Sequence, residues 1–332
     1  IIYLSDSKLK NMNEDQLKVG LVQIAPVWLK KEKTTEKIVS YISDAGEQHC
    51  DLVVFGEALL PGYPFWVELT EGAKFNSVVQ KKLFAHYLSQ AIDPYSKDLE
   101  PVCSIAREKN TSVVLGTIEK AANRGGHSLY CSLVYIDKGG IVQSVHRKFM
   151  PTYDERLVWS PGDGHGLRVH KLGAFTVGGL NCWENWMPLS RTALYGMGED
   201  LHVAIWPGSK RNTEDITRFI AKESRSYVIS VSGLMRKTDI QTDIPYSDMI
   251  SSNCPDMPAD GGSCLAAPDG EWVVEPQVGQ EVLKVADIDH KKVRMERHNF
   301  DPAGHYSRPY DTKLHVNRER QQIIQIDDEN NK

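Results

Sequence analysis

A cysteine at position 182 stands where a run of strand character gives way to helix character: Phe175-Thr-Val-Gly-Gly-Leu-Asn-Cys182, then Trp183-Glu184-Asn185-Trp186-Met187-Pro188. A thiol at such a corner is raised above a sheet edge. Oriented backbone N–H groups and the positive end of the following helix favour its thiolate, the nucleophilic form. The blander alternative is a small buried apolar side chain, which is what most free cysteines are. Two further segments weigh against it. Asp51-Leu-Val-Val-Phe-Gly-Glu57 delivers a carboxylate directly after a short buried run, and Val145-His146-Arg147-Lys148 delivers an amine at the end of another. Each has an ordinary reading alone, as a surface pair or a solvated strand end. Together, at strand ends where helix-covered sheets gather their reactive groups, they supply a base, a cation and a nucleophile.

The elements that must position them follow from periodicity. Lys18–Ala25, Asp51–Phe55 and Ser112–Ile118 are short Val/Ile/Leu-rich runs expected to be buried strands. Asp137-Lys138-Gly139-Gly140 marks a hairpin between Ser128–Ile136 and Ile141–Phe149. Further strands are expected at Phe175–Leu180, Leu201–Trp206, Tyr227–Gly233 and Glu281–Ile288. Helices are expected at Thr34–Cys50, Lys74–Ala91, Leu99–Asn110, Pro188–Met197 and Glu214–Arg225, the last capped by Asn212. Helices alternating with strands and hairpins place the chain in the α/β class, as mixed sheets covered by helices. No Pro/Gly/Ser-rich linker interrupts the middle of the chain, so one domain is expected over 18–310. It is flanked by an N-terminal extension, 1–17, and a polar C-terminal tail, 311–332, which is either frayed or awaits a partner chain.

The 332 residues are 41% apolar and 25% charged, with 39 Lys+Arg against 44 Asp+Glu. A net charge of -5 without a basic run argues against a nucleic-acid binder, and no apolar stretch approaches membrane-spanning length. The six cysteines, without a secretory signature at the N-terminus, are expected to be free thiols in a cytoplasmic protein. His146, His165, His170 and His202 are scattered, and Cys254 and Cys264 lack partners of zinc-site spacing, so no metal is expected. Gly162, Gly164 and Gly166 form G-x-G-x-G outside a strand-to-helix turn and are expected to be a flexible loop, not a nucleotide cradle.

FGEALLPGYP (Phe55 to Pro64), HRKFMPTYDERLVW (His146 to Trp159) and GGLNCWENWMPL (Gly178 to Leu189) resemble the three signature segments of the nitrilase family, within the carbon–nitrogen hydrolase superfamily. GDGHGL, HVAIWPGS and GHYSRP extend the likeness across nearly everything between Lys18 and Pro309. The resemblance implies a four-layer αββα sandwich of two mixed sheets, assembled as a homodimer or larger homo-oligomer. It assigns Glu57, Lys148 and Cys182 to the catalytic triad and Glu155 to a supporting glutamate that positions substrate and lysine. Gly56, Asn185 and Tyr310 depart from the family's usual proline, histidine and aspartate, and Asn185 lies beside the nucleophile.

The implied reaction is hydrolysis of a small organic nitrile by water to a carboxylic acid and ammonia, through a covalent thioimidate and thioester on Cys182, without cofactor. The alternatives are cyanide hydratase or dihydratase, or an amidase or carbamoylase using the same triad. Cys-Trp-Glu followed by Pro-Leu favours the nitrilase branch over the amidases. A non-catalytic scaffold retaining the fold is the alternative outside enzymology. Tyr63, Trp183 and Trp206 are the leading candidates to line an apolar substrate pocket, ahead of Phe65, Trp66 and Trp186.

Overall fold

The computed structural model describes residues 15–322 and 324. The expected N-terminal extension therefore falls outside the described residues except for its last three, and so does most of the terminal acidic stretch. In chain order the strands are β1 (Gln16–Gln23), β2 (Leu52–Phe55), β3 (Ser112–Lys120), β4 (Leu129–Ile136), β5 (Val142–Arg147), β6 (His170–Leu172) and β7 (Phe175–Asn181). They continue with β8 (Leu201–Trp206), β9 (Tyr227–Ser232), β10 (Leu234–Met235), β11 (Ala259–Ala266), β12 (Trp272–Val278) and β13 (Val282–Asp289). The helices are α1 (Lys31–Glu47), α2 (Trp66–Leu69), α3 (Val78–Gln90), α4 (Glu100–Lys109), α5 (Pro188–Gly196), α6 (Lys210–Ser224), α7 (Ser247–Asn253) and α8 (His290–Arg297).

One sheet runs β13-β1-β2-β3-β4-β5 and the other β10-β11-β9-β8-β7-β6, with β12 beside β11. Both are mixed: β1, β2 and β3 are parallel to one another and β7, β8 and β9 likewise, with antiparallel strands outside them. The central strands β2, β3, β8 and β9 are buried on both faces, and their period of two sorts the side chains between two cores. Leu52 and Val54 point into a core shared with Val177, Val203 and Ile229 of the second sheet, whereas Val53 and Phe55 point outward onto Ile38 and Ile42 of α1 and Val102 of α4. On the far side, α6 covers the second sheet through Ile216 and Ile220, and Ala193 and Leu194 of α5 pack on Leu180. The layers are thus helix, sheet, sheet, helix, as expected.

Three expectations need correction. Helix α6 begins at Lys210, not Glu214, so Asn212 lies inside its first turn and donates its side-chain N–H to the Gly208 carbonyl at 2.7 Å. The helix expected from Lys74 starts only at Val78, where the Ser77 hydroxyl caps the Gln80 N–H. The Gly162–Gly166 segment is not a flexible loop. It packs so closely on β5 that a Cβ at Gly166 would come within 2.2 Å of the His146 Cα. The polar tail lies along that segment: Arg320 pairs with buried Asp163 at 2.9 Å, and the Gln321 N–H also reaches Asp163.

Candidate active site

Each candidate group sits just past a strand end. Glu57 follows β2 by one residue, Lys148 directly follows β5, and Cys182 directly follows β7. Glu57 and Lys148 belong to the first sheet and Cys182 to the second, so the site forms where the two sheets meet, not on one sheet's rim. Gly56 keeps the junction tight: a Cβ there would lie 3.1 Å from the Gly233 nitrogen and 3.3 Å from the Trp206 carbonyl across the junction. The Glu57 N–H donates to the Trp206 carbonyl of the opposite sheet at 3.2 Å, fixing the junction. Cys182 has φ +49°, a left-handed conformation that a non-glycine residue holds only when its surroundings enforce it.

The side chains converge. Lys148 Nζ donates to Glu57 Oε1 at 2.8 Å and to Glu155 Oε2 at 2.7 Å, with all three groups buried. A carboxylate oxygen of Glu57, one of Glu155 and the Cys182 sulfur lie within 4.8 Å of one another. Glu155 is fully engaged, because its Oε2 also accepts from the Thr152 N–H at 2.6 Å and its Oε1 from the Tyr63 hydroxyl at 3.0 Å. Glu57 is not. Its Oε1 accepts from Lys148 and from the Cys131 thiol at 3.3 Å, but its Oε2 is buried without a partner. An ammonium has three N–H donors, and two are spent on the glutamates, which leaves one for a substrate.

Burial sets the electrostatics. It pushes the Glu57 carboxyl up to about 7 against the pull of the Lys148 ammonium. Burial alone would lower the Lys148 pKa, but Cys182, Glu57 and Glu155 outweigh it and hold it well above the usual lysine range. Burial and the neighbouring Glu57 likewise raise the Cys182 thiol, with Lys148 and the Trp183 N–H opposing. This corrects the expectation of a helix-stabilised thiolate. Cys182 opens a short 3-10 turn, Cys182–Trp186, and the α-helix begins only at Pro188, too far on to present its end to the sulfur.

A pocket of about 410 Å³ opens onto the sulfur, lined by Tyr63, Glu155 and Trp183 and also by Tyr153, Asp154 and Arg211, which sequence reasoning missed. Trp206 is fully buried in a core cluster with Cys182, Ile216 and Ile220, and its neighbour Pro207 lines the pocket instead. Trp66 is likewise core, while Trp183 is half exposed. A larger cavity, about 540 Å³, lies at the other end of the sheets, but Lys138 there pairs with Asp51 and His170 bonds Ser144. Sequence reasoning also missed two buried carboxylate–imidazole pairs behind the nucleophile. Glu184 meets His146, and Glu199 meets His202 at 2.9 Å. His202 Nε2 contacts Asn185 Oδ1 at 2.8 Å, and Asn185 gives its N–H groups to the Leu180 and Cys182 carbonyls. The non-histidine residue at 185 therefore clamps the strained turn.

The sequence pattern of the carbon–nitrogen hydrolase family matches residues 18–297. The chain belongs to that family. Among curated relatives, this hydrolase is 32% identical to a nitrilase 2 from an unknown prokaryotic organism, over 93% of the chain and 95% of the relative. It is also 32% identical to an aliphatic nitrilase from Sinorhizobium fredii, over 93% and 98%. Among solved structures, its fold matches the carbon–nitrogen hydrolase of Helicobacter pylori G27 with a TM-score of 0.66 at 20% identity, covering 89% of this chain and 96% of that one.

Proposed function

We propose that this hydrolase is a nitrilase, converting an organic nitrile and two waters to a carboxylic acid and ammonia, with Cys182 as nucleophile. The observation that carries the roles is the unpartnered Glu57 Oε2, a buried carboxylate oxygen beside Lys148 that is free to take a proton. Glu57 takes the thiol proton as the sulfur attacks the nitrile carbon, and the third Lys148 N–H with the Trp183 N–H stabilises the nitrogen as it becomes anionic. Glu57 passes that proton to the nitrogen, which gives a thioimidate and restores the carboxylate. Water, deprotonated by Glu57, adds to its carbon; ammonia leaves, and a thioester remains. A second water releases the acid and restores the thiol. Glu155, with both oxygens engaged, orients Lys148.

The relatives named nitrilases and the Cys182-Trp183-Glu184 segment support nitriles over amides. The test is ammonia release from matched nitriles, amides and cyanide, with Cys182→Ala as control. Turnover of amides alone, or activity surviving in Cys182→Ala, overturns the assignment.

The same reading places the catalytic unit in 18–310 and works without cofactor. Six free thiols support a reducing, cytoplasmic setting. Among the described residues, no helix is long and apolar enough to cross a membrane. Trp186, Leu189 and Phe219 stand exposed on the α5 and α6 side, which supports a homodimer or larger assembly through that side. Sedimentation of Leu189→Glu against the parent chain tests it.

A further inference from the structure

Glu184 is a buried acid, two residues past the nucleophile, that the proposed reaction leaves unused. Its Oε1 accepts from the Phe149 N–H at 2.5 Å and its Oε2 from the Asn181 N–H at 2.9 Å. His146 Nε2 sits between them, 3.2 and 3.1 Å from the two oxygens. Phe149 is the residue after Lys148, Asn181 is the residue before Cys182, and His146 lies on β5 two residues ahead of Lys148. Strands β5 and β7 belong to different sheets and share no ladder. One carboxylate therefore grips the peptide joining Lys148 to Phe149 and the peptide joining Leu180 to Asn181, one residue ahead of the thiol.

We propose that Glu184 is a positioning residue that sets the distance between Lys148 and Cys182 by tying the two strand ends together. The inference rests on the roles given above to those two residues. Three donors converge on the group, so the position demands an acceptor on both arms. A glutamine would turn an NH2 toward one of the backbone N–H groups, and an aspartate, one methylene shorter, would reach only one strand end. The charge state fits. Burial would raise the Glu184 carboxyl, but His146 and the two backbone N–H groups outweigh it and hold the acid below its ordinary range. The carboxylate does not itself line the pocket, so its effect passes through the two backbones.

The test uses the full chain carrying Glu184→Gln and, separately, Glu184→Asp, each checked for folding by thermal melting. The first measurement is Cys182 alkylation by iodoacetamide against pH, located by peptide mass, which needs no nitrile. With the ammonium displaced, alkylation is expected to slow and its pH midpoint to move upward. The second is steady-state hydrolysis of a nitrile the parent turns over. There kcat per folded molecule is expected to fall about 100-fold, as for a misplacement of about 1 Å, while KM stays within about twofold. If both variants keep the parent's alkylation profile and kcat and lose only melting temperature, Glu184 is structural and the proposal is overturned. A rise confined to KM overturns it as well. If the parent hydrolyses no nitrile, the alkylation profile still decides the matter, so the two readings fail separately.

Discussion

Arg147 and Lys148 are consecutive, and each carries a cation into the interior against a glutamate, yet the two pairs are built to different ends. Arg147 leaves no oxygen of its glutamate open. Its Nε and Nη2 fork onto the two Glu119 oxygens at 3.0 and 2.5 Å, Ser132 adds a donor at 2.8 Å, and Asn123 takes another guanidinium N–H. The guanidinium also lies 4.2 Å from the Tyr130 ring centroid. Lys148 instead faces two carboxylates and a thiol, and one Glu57 oxygen and one ammonium N–H stay unspent. A buried ion pair whose carboxylate oxygens are both engaged is inert structure; a pair left one partner short holds a proton acceptor and a donor aimed into a pocket.

Removing each cation should separate the two most sharply. Lys148→Ala leaves Glu57 and Glu155 facing each other, so turnover should fall by about 10³ or more, with a stability loss of about 3–5 kcal/mol. Arg147→Ala should cost a similar 3–5 kcal/mol by leaving Glu119 buried and unpaired, while kcat per folded molecule is retained. Denaturant unfolding and ammonia release, normalised to folded protein, read both. Loss of turnover in Arg147→Ala without loss of stability would break the distinction.

The glutamates should sort the same way with smaller effects. Glu57→Gln should lower kcat about 10²- to 10⁴-fold as a lost general base, with no loss of stability, since it also relieves the repulsion from Glu155. Glu119→Gln should lose stability first. The Glu57 carboxyl, pushed up to about 7, adds a pH signature. The base must be ionised, so kcat/KM should decline as pH falls through about 7. Stability runs the other way. A carboxyl raised in the folded state binds its proton more tightly there, so its contribution is full below the ordinary value of 4.5 and is lost as pH rises through about 7. The stability difference between the parent and Glu57→Gln should follow that curve; a flat difference would show that Glu57 titrates normally.

The strand-end placement of Glu57, Lys148 and Cys182 was legible because short apolar runs announce where buried strands stop. What surrounds them was not. Cys131 reads as an incidental thiol, and only the pairing of β4 with β3 and β5 brings it to Glu57, 74 positions away. Glu184 and His146, 38 apart, meet because two sheets stack, and no local spacing encodes a stacking. Trp206 was misplaced for a subtler reason: its segment was right, but strand alternation turns the indole outward to α6 and leaves Pro207 to the pocket. The segments around β11 and β12 escaped because register shifts break the alternation that would announce them, and β10 is only two residues long.

The gentlest test removes one hydrogen bond from each assembly. Tyr63 donates to Glu155 Oε1, and burial together with nearby acids keeps the phenol pKa well above 10, so it donates throughout the working pH range. In Tyr63→Phe, Glu155 keeps Thr152 and Lys148, and the ring keeps its packing on Phe65 and Trp159 at 4.8 and 5.5 Å. The loss should therefore be one hydrogen bond to a charged acceptor, about 1.5–3 kcal/mol at most, appearing chiefly in kcat because Glu155 orients the ammonium. Asn123→Ala removes one acceptor from Arg147, which keeps its fork on Glu119, so stability should drop by about 1 kcal/mol and kcat should hold. If Tyr63→Phe changes stability and not kcat, Glu155 is filled in the same sense as Glu119. The reactive half of the Lys148 assembly would then shrink to Glu57 alone.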